Sequence, residues 1–384
     1  MVVAQQKTEL GIGMVGYAFM GAAHSQAWRT APRFFDLPLE PRMRVLAGRD
    51  LAKVTAAAAG LGWDSVETDW RELIRRDDVG LVDICTPGDT HAEIAIAALE
   101  AGKHVLCEKP LTNTVEEAEK LVAVADAAAA EHGTVAMVGF TYRRVPAIQL
   151  ARRLVAEGRI GQVRHVRAQY LQDWLSDAEA PFTWRLDKQR AGSGALGDIA
   201  SHIVDLTQFI VGDTLTKVSS ALATFVDERP MPGGRERGSV TVDDAAVFLA
   251  HFHGGGLGVF EATRFALGRK NSIRLEINGS RGSLSFDFED MNVLNYYDGD
   301  DDPHIAGFRR IVVTEPTHAY IGQWWPPGHG LGYEHAFSHQ VVDLLTGIAA
   351  GTQVQPTFAD GLQVQRVLAA VERSATDDAG WMTV

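Results

Sequence analysis

Cysteine is almost missing from this chain: 384 residues hold two, Cys85 and Cys107. Both fall in apolar stretches that read as buried strands, so they are expected to be reduced core side chains, not a disulfide or a metal pair. Long apolar runs are missing too. No uninterrupted stretch is long enough to cross a bilayer. The start, Met1-Val-Val-Ala-Gln-Gln-Lys-Thr8, lacks the apolar core of a secretory signal. A surplus of positive charge is also absent: 36 Lys and Arg stand against 49 Asp and Glu, for a net charge of -13. That balance argues against nucleic acid or an anionic membrane surface as partner. The expected location is cytoplasmic.

What is present reads as a globular protein, with 46% hydrophobic and 22% charged residues. The length exceeds what one hydrophobic core usually serves, so two domains are expected. The first spans residues 1–140. Leu10 to Val15 is an apolar strand, and the phosphate turn of a dinucleotide site must follow it. A literal GxGxxG at Gly11, Gly13 and Gly16 lies inside that strand and is out of phase. The in-phase turn is Gly16-Tyr-Ala-Phe-Met-Gly21, covering Ala18, Phe19 and Met20. Its first glycine permits the tight turn, small Ala18 lets a pyrophosphate approach, and Gly21 lets helix and strand pack. An anion would then sit on the free N–H groups of the helix start. Strand patterns at residues 42–47, 81–86, 105–107 and 134–140 alternate with helical ones. These begin at capping signals at Asp50, Asp69, Thr90 and Thr114 and end at Gly60, Gly102 and Gly133. Such alternation predicts a doubly wound parallel sheet.

The most informative stretch is Lys103-His-Val-Leu-Cys-Glu-Lys-Pro-Leu111. With the strand at 81–86 and the helix between, it forms a βαβ unit that delivers Glu108 and Lys109 to the carboxyl edge of the sheet, where ligands of open α/β sheets bind. Pro110 cannot extend the ladder and ends the strand there. At the tip of the second strand stands Gly48-Arg49-Asp50. Glycine falls where an acid would bind the ribose 2′-hydroxyl of NAD, and Asp50 reads as a helix cap, so Arg49 favours NADP(H) over NAD(H).

The second domain, residues 141–384, changes pattern. A helix at 145–157 and a strand at 163–170 precede alternating strands at 218–225, 245–252, 257–262, 272–277, 283–288 and 310–313, which read as an antiparallel sheet. Asp227–Gly238 reads as a loop, Asp298–Asp302 as a solvated turn. Two closing helices, near 333–349 and 359–373, can pack back on the first domain. The chemical centre is Gly192-Ser-Gly-Ala-Leu-Gly-Asp-Ile-Ala-Ser-His202, a glycine-rich entry to a helix with Asp198 and His202 one turn apart. A carboxylate so placed can fix the tautomer of an imidazole that titrates near neutrality and can take an alcohol proton.

With Gly16–Gly21, Thr86-Pro-Gly-Asp-Thr-His91, Glu108-Lys109-Pro110 and Asp198-xxx-His202 in that order, the chain resembles the Gfo/Idh/MocA family of glucose-fructose oxidoreductases and inositol dehydrogenases. The resemblance covers essentially the whole chain. It implies a Rossmann domain followed by an α/β domain with a large open, mainly antiparallel sheet, and NAD(P)-dependent redox chemistry at a secondary alcohol of a sugar or cyclitol. It implies Lys109, Asp198 and His202 as the catalytic set. Glu108 and Lys109 would touch the nicotinamide ribose, Thr86, Pro87 and His91 would lie beside the cofactor, and Arg185 of Trp184-Arg185 would reach it. His202 would take the hydroxyl proton, Asp198 would orient it, and Lys109 would stabilise developing alkoxide charge.

Tyr142, Arg143, Trp174 and His329 are candidate contacts to a small polyhydroxylated substrate, because aromatic faces pack on sugar C–H surfaces. No metal is expected from His329, His335 and His339. Two other readings remain open: a glycosidase of the same fold that uses NAD as a redox aid, and a non-catalytic NAD(P)-binding regulator. An open sheet's exposed face predicts a homo-oligomer.

Overall fold

The computed structural model describes residues 7–234 and 236–384. The chain divides into two compact units. One holds the chain up to Thr141 together with Gly332–Leu362; the other holds Tyr142–Leu331 and Gln363–Val384. Among the described residues no helix is long and apolar enough to cross a membrane.

The first unit is a six-stranded parallel sheet in the order β3-β2-β1-β4-β5-β6. Its strands are β1 (Thr8–Val15), β2 (Leu39–Ala47), β3 (Ser65–Glu67), β4 (Leu81–Ile84), β5 (His104–Cys107) and β6 (Ala136–Val138). Between them run α1 (Phe19–Phe34), α2 (Leu51–Leu61), α3 (Trp70–Arg75), α4 (His91–Glu100) and α5 (Val115–His132). The order reverses between β1 and β4, so the ends of these strands form the crevice where such sheets bind ligands. Asp50, Asp69 and Thr114 cap α2, α3 and α5 through their side chains. Thr90 does not cap α4. A 3₁₀ turn over Gly88–Thr90 precedes that helix, and the Thr90 hydroxyl turns back to Thr86 Oγ1 at 2.7 Å and the Pro87 carbonyl. α2 runs slightly further than expected, with Gly62 and not Gly60 in the left-handed conformation (φ 82°). The helix Tyr333–Ala350 belongs to this unit because Phe337, Val341, Leu344 and Leu345 complete a core with Trp28, Ala31, Leu46 and Leu106.

The second unit is built on a nine-stranded mixed sheet. The remaining helices in chain order are α6 (Pro146–Ala156), a short α7 (Lys188–Ala191), α8 (Ser201–Val211), α9 (Tyr333–Ala350, the helix just placed in the first unit) and α10 (Phe358–Thr376). The strands are β7 (Val163–Leu171), β8 (Leu215–Ala223), β9 (Glu228–Pro230), β10 (Arg237–Ser239), β11 (Ala245–Phe252), β12 (Leu257–Thr263), β13 (Ser272–Gly279), β14 (Gly282–Asp287), β15 (Val293–Asp298), β16 (Arg309–Val312) and β17 (Met382–Thr383). The large sheet runs β16-β15-β14-β13-β7-β12-β11-β8-β17, antiparallel except where β7 and β12 pair in parallel. Alternation along β11 and β12 buries Ala246, Phe248, Ala250, Phe260 and Ala262, with Phe248 and Phe260 stacked at 4.6 Å. Val247, Leu249 and Leu257 stand on the opposite, exposed face.

The stretch Asp227–Gly238, expected as a loop, contains the two-stranded hairpin of β9 and β10. Its anchor is Arg229, which is fully buried and donates to the carbonyls of Asp177 and Leu175 at 2.6 and 2.7 Å. A charged residue spent on distant carbonyls looks solvated in the sequence.

Candidate active site

Strand ends of the first unit bring the expected nucleotide residues to one edge. Gly16 follows β1 with φ 99°, and a Cβ there would lie 2.7 Å from the Cys85 carbonyl oxygen. A Cβ on Gly21 would come within 2.3 Å of the Gly16 carbonyl oxygen, so α1 packs against the turn only with glycine. Ala18 is the N-cap of α1 and makes no side-chain cap bond, and the first turn, with Phe19 and Met20, carries no acid. Its leading N–H groups therefore suit a pyrophosphate. Gly48 is glycine because the Tyr17 ring lies over it: a Cβ would meet that ring at 2.0 Å. Asp50 gives an oxygen to the Lys53 N–H at 3.1 Å, which also holds its carboxyl below the usual range, and Arg49 is exposed. These features fit an adenine dinucleotide.

At the end of β5, Glu108 is buried and accepts the Lys109 N–H at 3.2 Å. Gly139 backs it so closely that a Cβ would stand 2.7 Å from Glu108 Oε1. His91 is buried beside this edge, its Nδ1 3.0 Å from the Pro110 carbonyl and its Nε2 2.8 Å from the Thr86 carbonyl. It ties the turn after β4, with Thr86 and Pro87, to the turn after β5.

His24, Asp83 and Cys85 place one ligand-type atom each within 4.8 Å of one another. Burial and the Asp83 carboxylate push the Cys85 thiol up, so it stays protonated, and the imidazole and carboxylate bond each other at 2.9 Å. The donor set suits a hydrogen-bonded cluster better than a cation.

In the second unit, the helix predicted from Gly192 onward opens with a π-helical turn over Leu196–Ala200, in which the Ser201 N–H reaches back to the Leu196 carbonyl. Asp198 lies in this turn and His202 in the first turn of α8. Turns of this kind recur at functional sites. Asp243 holds the entry: its two carboxylate oxygens take the N–H groups of Gly194 at 2.7 Å and Leu196 at 2.8 Å. Gly194 must be glycine, since a Cβ would fall 1.7 Å from the Asp243 carbonyl oxygen. Burial pushes the Asp243 carboxyl up, against the pull of these bonds. Asp198 pairs with the fully buried guanidinium of Arg264 at 3.5 Å.

The His202 ring lies 4.8 Å from the Tyr142 ring and 5.7 Å from the Tyr170 ring. Tyr142 and Tyr170 share a hydroxyl contact of 3.1 Å, and Tyr170 donates to Asn271 Oδ1 at 2.6 Å. Gln172 donates to the same oxygen and accepts the Trp174 indole N–H at 2.9 Å. Trp174 in turn faces the Arg264 guanidinium at 5.5 Å. Tyr142 and Trp174 thus stand among polar groups on the His202 side. Arg143 is a correction: its guanidinium is buried in an ion pair with Asp205 at 2.6 Å and covers the Phe209 ring, tying the turn before α6 to α8. His329 stands in an exposed turn, bonded to the Pro326 carbonyl. Arg185 lies over its neighbour Trp184 at 4.6 Å. Tyr170, Gln172, Asn271, Arg264 and Asp243 were missed from sequence; the period-two spacing of Tyr170 and Gln172 along β7 was the one available signal.

Residues 10–140 match the model of the oxidoreductase family with an NAD-binding Rossmann fold, and residues 148–285 match the GFO/IDH/MocA C-terminal domain. Levoglucosan dehydrogenase of Pseudarthrobacter phenanthrenivorans is 41% identical over 98% of both chains. The chain belongs to the Gfo/Idh/MocA family. An oxidoreductase domain protein from Kribbella flavida has the same fold at 71% identity and a TM-score of 0.96, covering 98% of this chain and 99% of that one. A levoglucosan dehydrogenase solved with NADH and levoglucosan gives 40% identity and a TM-score of 0.94, covering 98% of this chain and all of that one. This member of the family is therefore an NAD-binding oxidoreductase of the sugar and cyclitol dehydrogenase class.

Proposed function

We propose that the protein oxidises a secondary alcohol of levoglucosan or a closely related neutral pyranose. The observation that carries this reading is the end-to-end match to levoglucosan dehydrogenase, whose structures hold NADH and levoglucosan. The residues around His202 agree with it. They are hydroxyl, amide and indole groups that match sugar hydroxyls, and the nearby Arg264 is already paired with Asp198, so a phosphorylated sugar finds less to recognise.

The coenzyme, when bound, supplies the hydride acceptor. The chain's own part is the proton and the charge on oxygen. His202 takes the hydroxyl proton as the carbonyl forms. Asp198, steadied by Arg264, favours the imidazolium so produced. Lys109 donates to the same substrate oxygen and offsets its developing negative charge. The turn at Gly16–Gly21 seats the pyrophosphate. Gly48-Arg49 pointed to NADP(H), but Tyr17 accounts for the glycine and the matched dehydrogenase carries NADH, so NAD(H) is the coenzyme we favour. The exposed face with Val247, Leu249 and Leu257 is the surface through which copies would associate.

The test is reduced-coenzyme absorbance with levoglucosan, glucose, 1,5-anhydroglucitol and myo-inositol, each with NAD⁺ and NADP⁺. Turnover is expected with levoglucosan and NAD⁺. Activity confined to inositol would overturn the anhydrosugar reading, and hydrolysis of an aryl glycoside would favour the glycosidase. Light scattering of the eluted protein gives the oligomeric state.

A further inference from the structure

Beneath the edge that carries Lys109, the core of the first unit holds a cluster of charged side chains, two of which, His24 and Asp83, have no part in the reaction described above. His24 comes from α1, Asp83 from the otherwise apolar β4, and Glu108 from the end of β5; all three are buried. The Nδ1 of His24 lies 2.9 and 3.1 Å from the two Asp83 oxygens, and its Nε2 lies 3.1 Å from Glu108 Oε1. The Trp28 indole N–H donates to Asp83 Oδ2 at 2.7 Å, and the Cys85 thiol to Oδ1 at 3.5 Å. The second Glu108 oxygen accepts the Lys109 N–H at 3.2 Å. An unbroken chain of contacts therefore leads from α1 to the backbone of Lys109.

Both ring nitrogens of His24 face carboxylate oxygens. A neutral imidazole has one N–H and would turn a lone pair toward a buried anion, whereas the imidazolium donates on both sides. Burial, the largest single influence, opposes a charge on His24, but the Asp83 carboxylate first and the Cys85 side chain after it, by charge and by hydrogen bond, together hold the imidazole well above its usual value. The other groups that face the ring are Glu108, the protonated Cys85 thiol and, from α9, the uncharged Phe337 ring at 5.4 Å. Without the cation, two buried carboxylates would be left uncompensated.

We propose that His24 is a positioning residue: as an imidazolium between Asp83 and Glu108 it fixes the Glu108 carboxylate and, through the Glu108–Lys109 bond, the turn from which the Lys109 amine meets the substrate oxygen. The inference rests on the reading of Lys109 given above. Its force comes from geometry, since displacing a reacting group by about 1 Å can cost about a hundredfold in rate.

The test uses the full-length enzyme with His24→Gln, the pair His24→Gln/Asp83→Asn, and Lys109→Met in parallel. In H24Q the new amide N–H₂ can serve Glu108, but its oxygen then faces the Asp83 carboxylate, and the chain breaks. In the double variant the carboxamide introduced at position 83 donates to the amide oxygen introduced at position 24. The N–H₂ at position 24 donates to Glu108, and the cluster keeps its single net negative charge. Turnover is counted per site titrated with NADH, which corrects for unfolded protein. H24Q is expected to lose about tenfold or more in kcat while the NADH Kd and substrate KM stay within about threefold, and the double variant is expected to recover most of the loss. Wild-type kcat in H24Q, or a double variant no better than the single one, overturns the proposal. Collapse of K109M beside an intact H24Q defeats this inference and leaves the Lys109 reading standing; an active K109M defeats both. If H24Q does not fold, ¹⁵N-histidine spectra of the unmutated enzyme decide, with assignment from the double variant. A doubly protonated His24 ring at about pH 8 supports the proposal, and a neutral tautomer at that pH overturns it.

Discussion

The Asp243 carboxylate accepts the backbone N–H of Leu196 at 2.8 Å, two residues before Asp198, while its other oxygen takes the Gly194 N–H. A single anion thereby fixes both ends of the glycine turn that leads into α8. Asp243→Asn would set an amide N–H₂ against one of those N–H groups, leaving a buried donor without an acceptor at a cost of about 1–3 kcal/mol. The expected outcome is a melting temperature lower by several degrees, with a fall in kcat larger than any change in coenzyme affinity. Thermal melts and steady-state kinetics on the same preparation check it. A melting temperature equal to wild type would refute the clamp.

Lys109→Met and His202→Ala are each expected to lower turnover by more than about a hundredfold, the usual scale for losing a positioned acid, base or oxyanion donor. NADH should still quench or enhance protein fluorescence on binding to both. Near-normal turnover in the pair would remove these two side chains from the chemistry.

Much of this was legible in the sequence, because the relevant signals were local. The strand–glycine–helix turn at Gly16, the Glu108-Lys109-Pro110 step at a strand end and the Asp198-xxx-His202 spacing each need a window of a dozen residues or fewer. Asp50, Asp69 and Thr114 cap their helices as the spacing predicts. What escaped depends on partners far apart in the chain. Arg143 reads as a ligand contact until Asp205, 62 residues on, takes its guanidinium. Asp83 in an apolar strand has no explanation until His24 arrives from 59 residues away. Thr90 fails as a cap because its dihedrals (φ −113°, ψ −7°) are not the extended ones a capping hydroxyl needs. The π-helical turn has no sequence signature at all; it begins at Leu196, whose N–H is held by Asp243, 47 residues away.

Gly16 stands at φ 99° with a virtual Cβ 2.7 Å from the Cys85 carbonyl oxygen. Gly16→Ala must therefore shift backbone at the crevice as well as adopt a conformation that costs about 1–3 kcal/mol for a residue with a side chain. The Kd for NADH should rise by at least about tenfold, since about 1.4 kcal/mol corresponds to one decade. Equilibrium fluorescence titration checks this, and unchanged affinity would show that the pyrophosphate does not sit on this turn.

The buried imidazolium makes stability depend on pH in a specified direction. The folded His24 holds its proton well above the ordinary histidine range, whereas the unfolded chain releases it near about pH 6.5. Below that pH both states carry the proton and the contribution is complete. As pH rises, the unfolded state binds fewer protons than the native one, so unfolding free energy falls by up to about 1.4 kcal/mol per pH unit until the folded group titrates. Urea unfolding of the wild type between about pH 6 and 8, below the range where thiols in the unfolded chain ionise, should show this decline. The H24Q/D83N variant lacks the titrating ring, so its slope should be shallower by about one proton. Parallel slopes in the two proteins would mean that His24 is not charged in the native state, and the positioning role would fall with it.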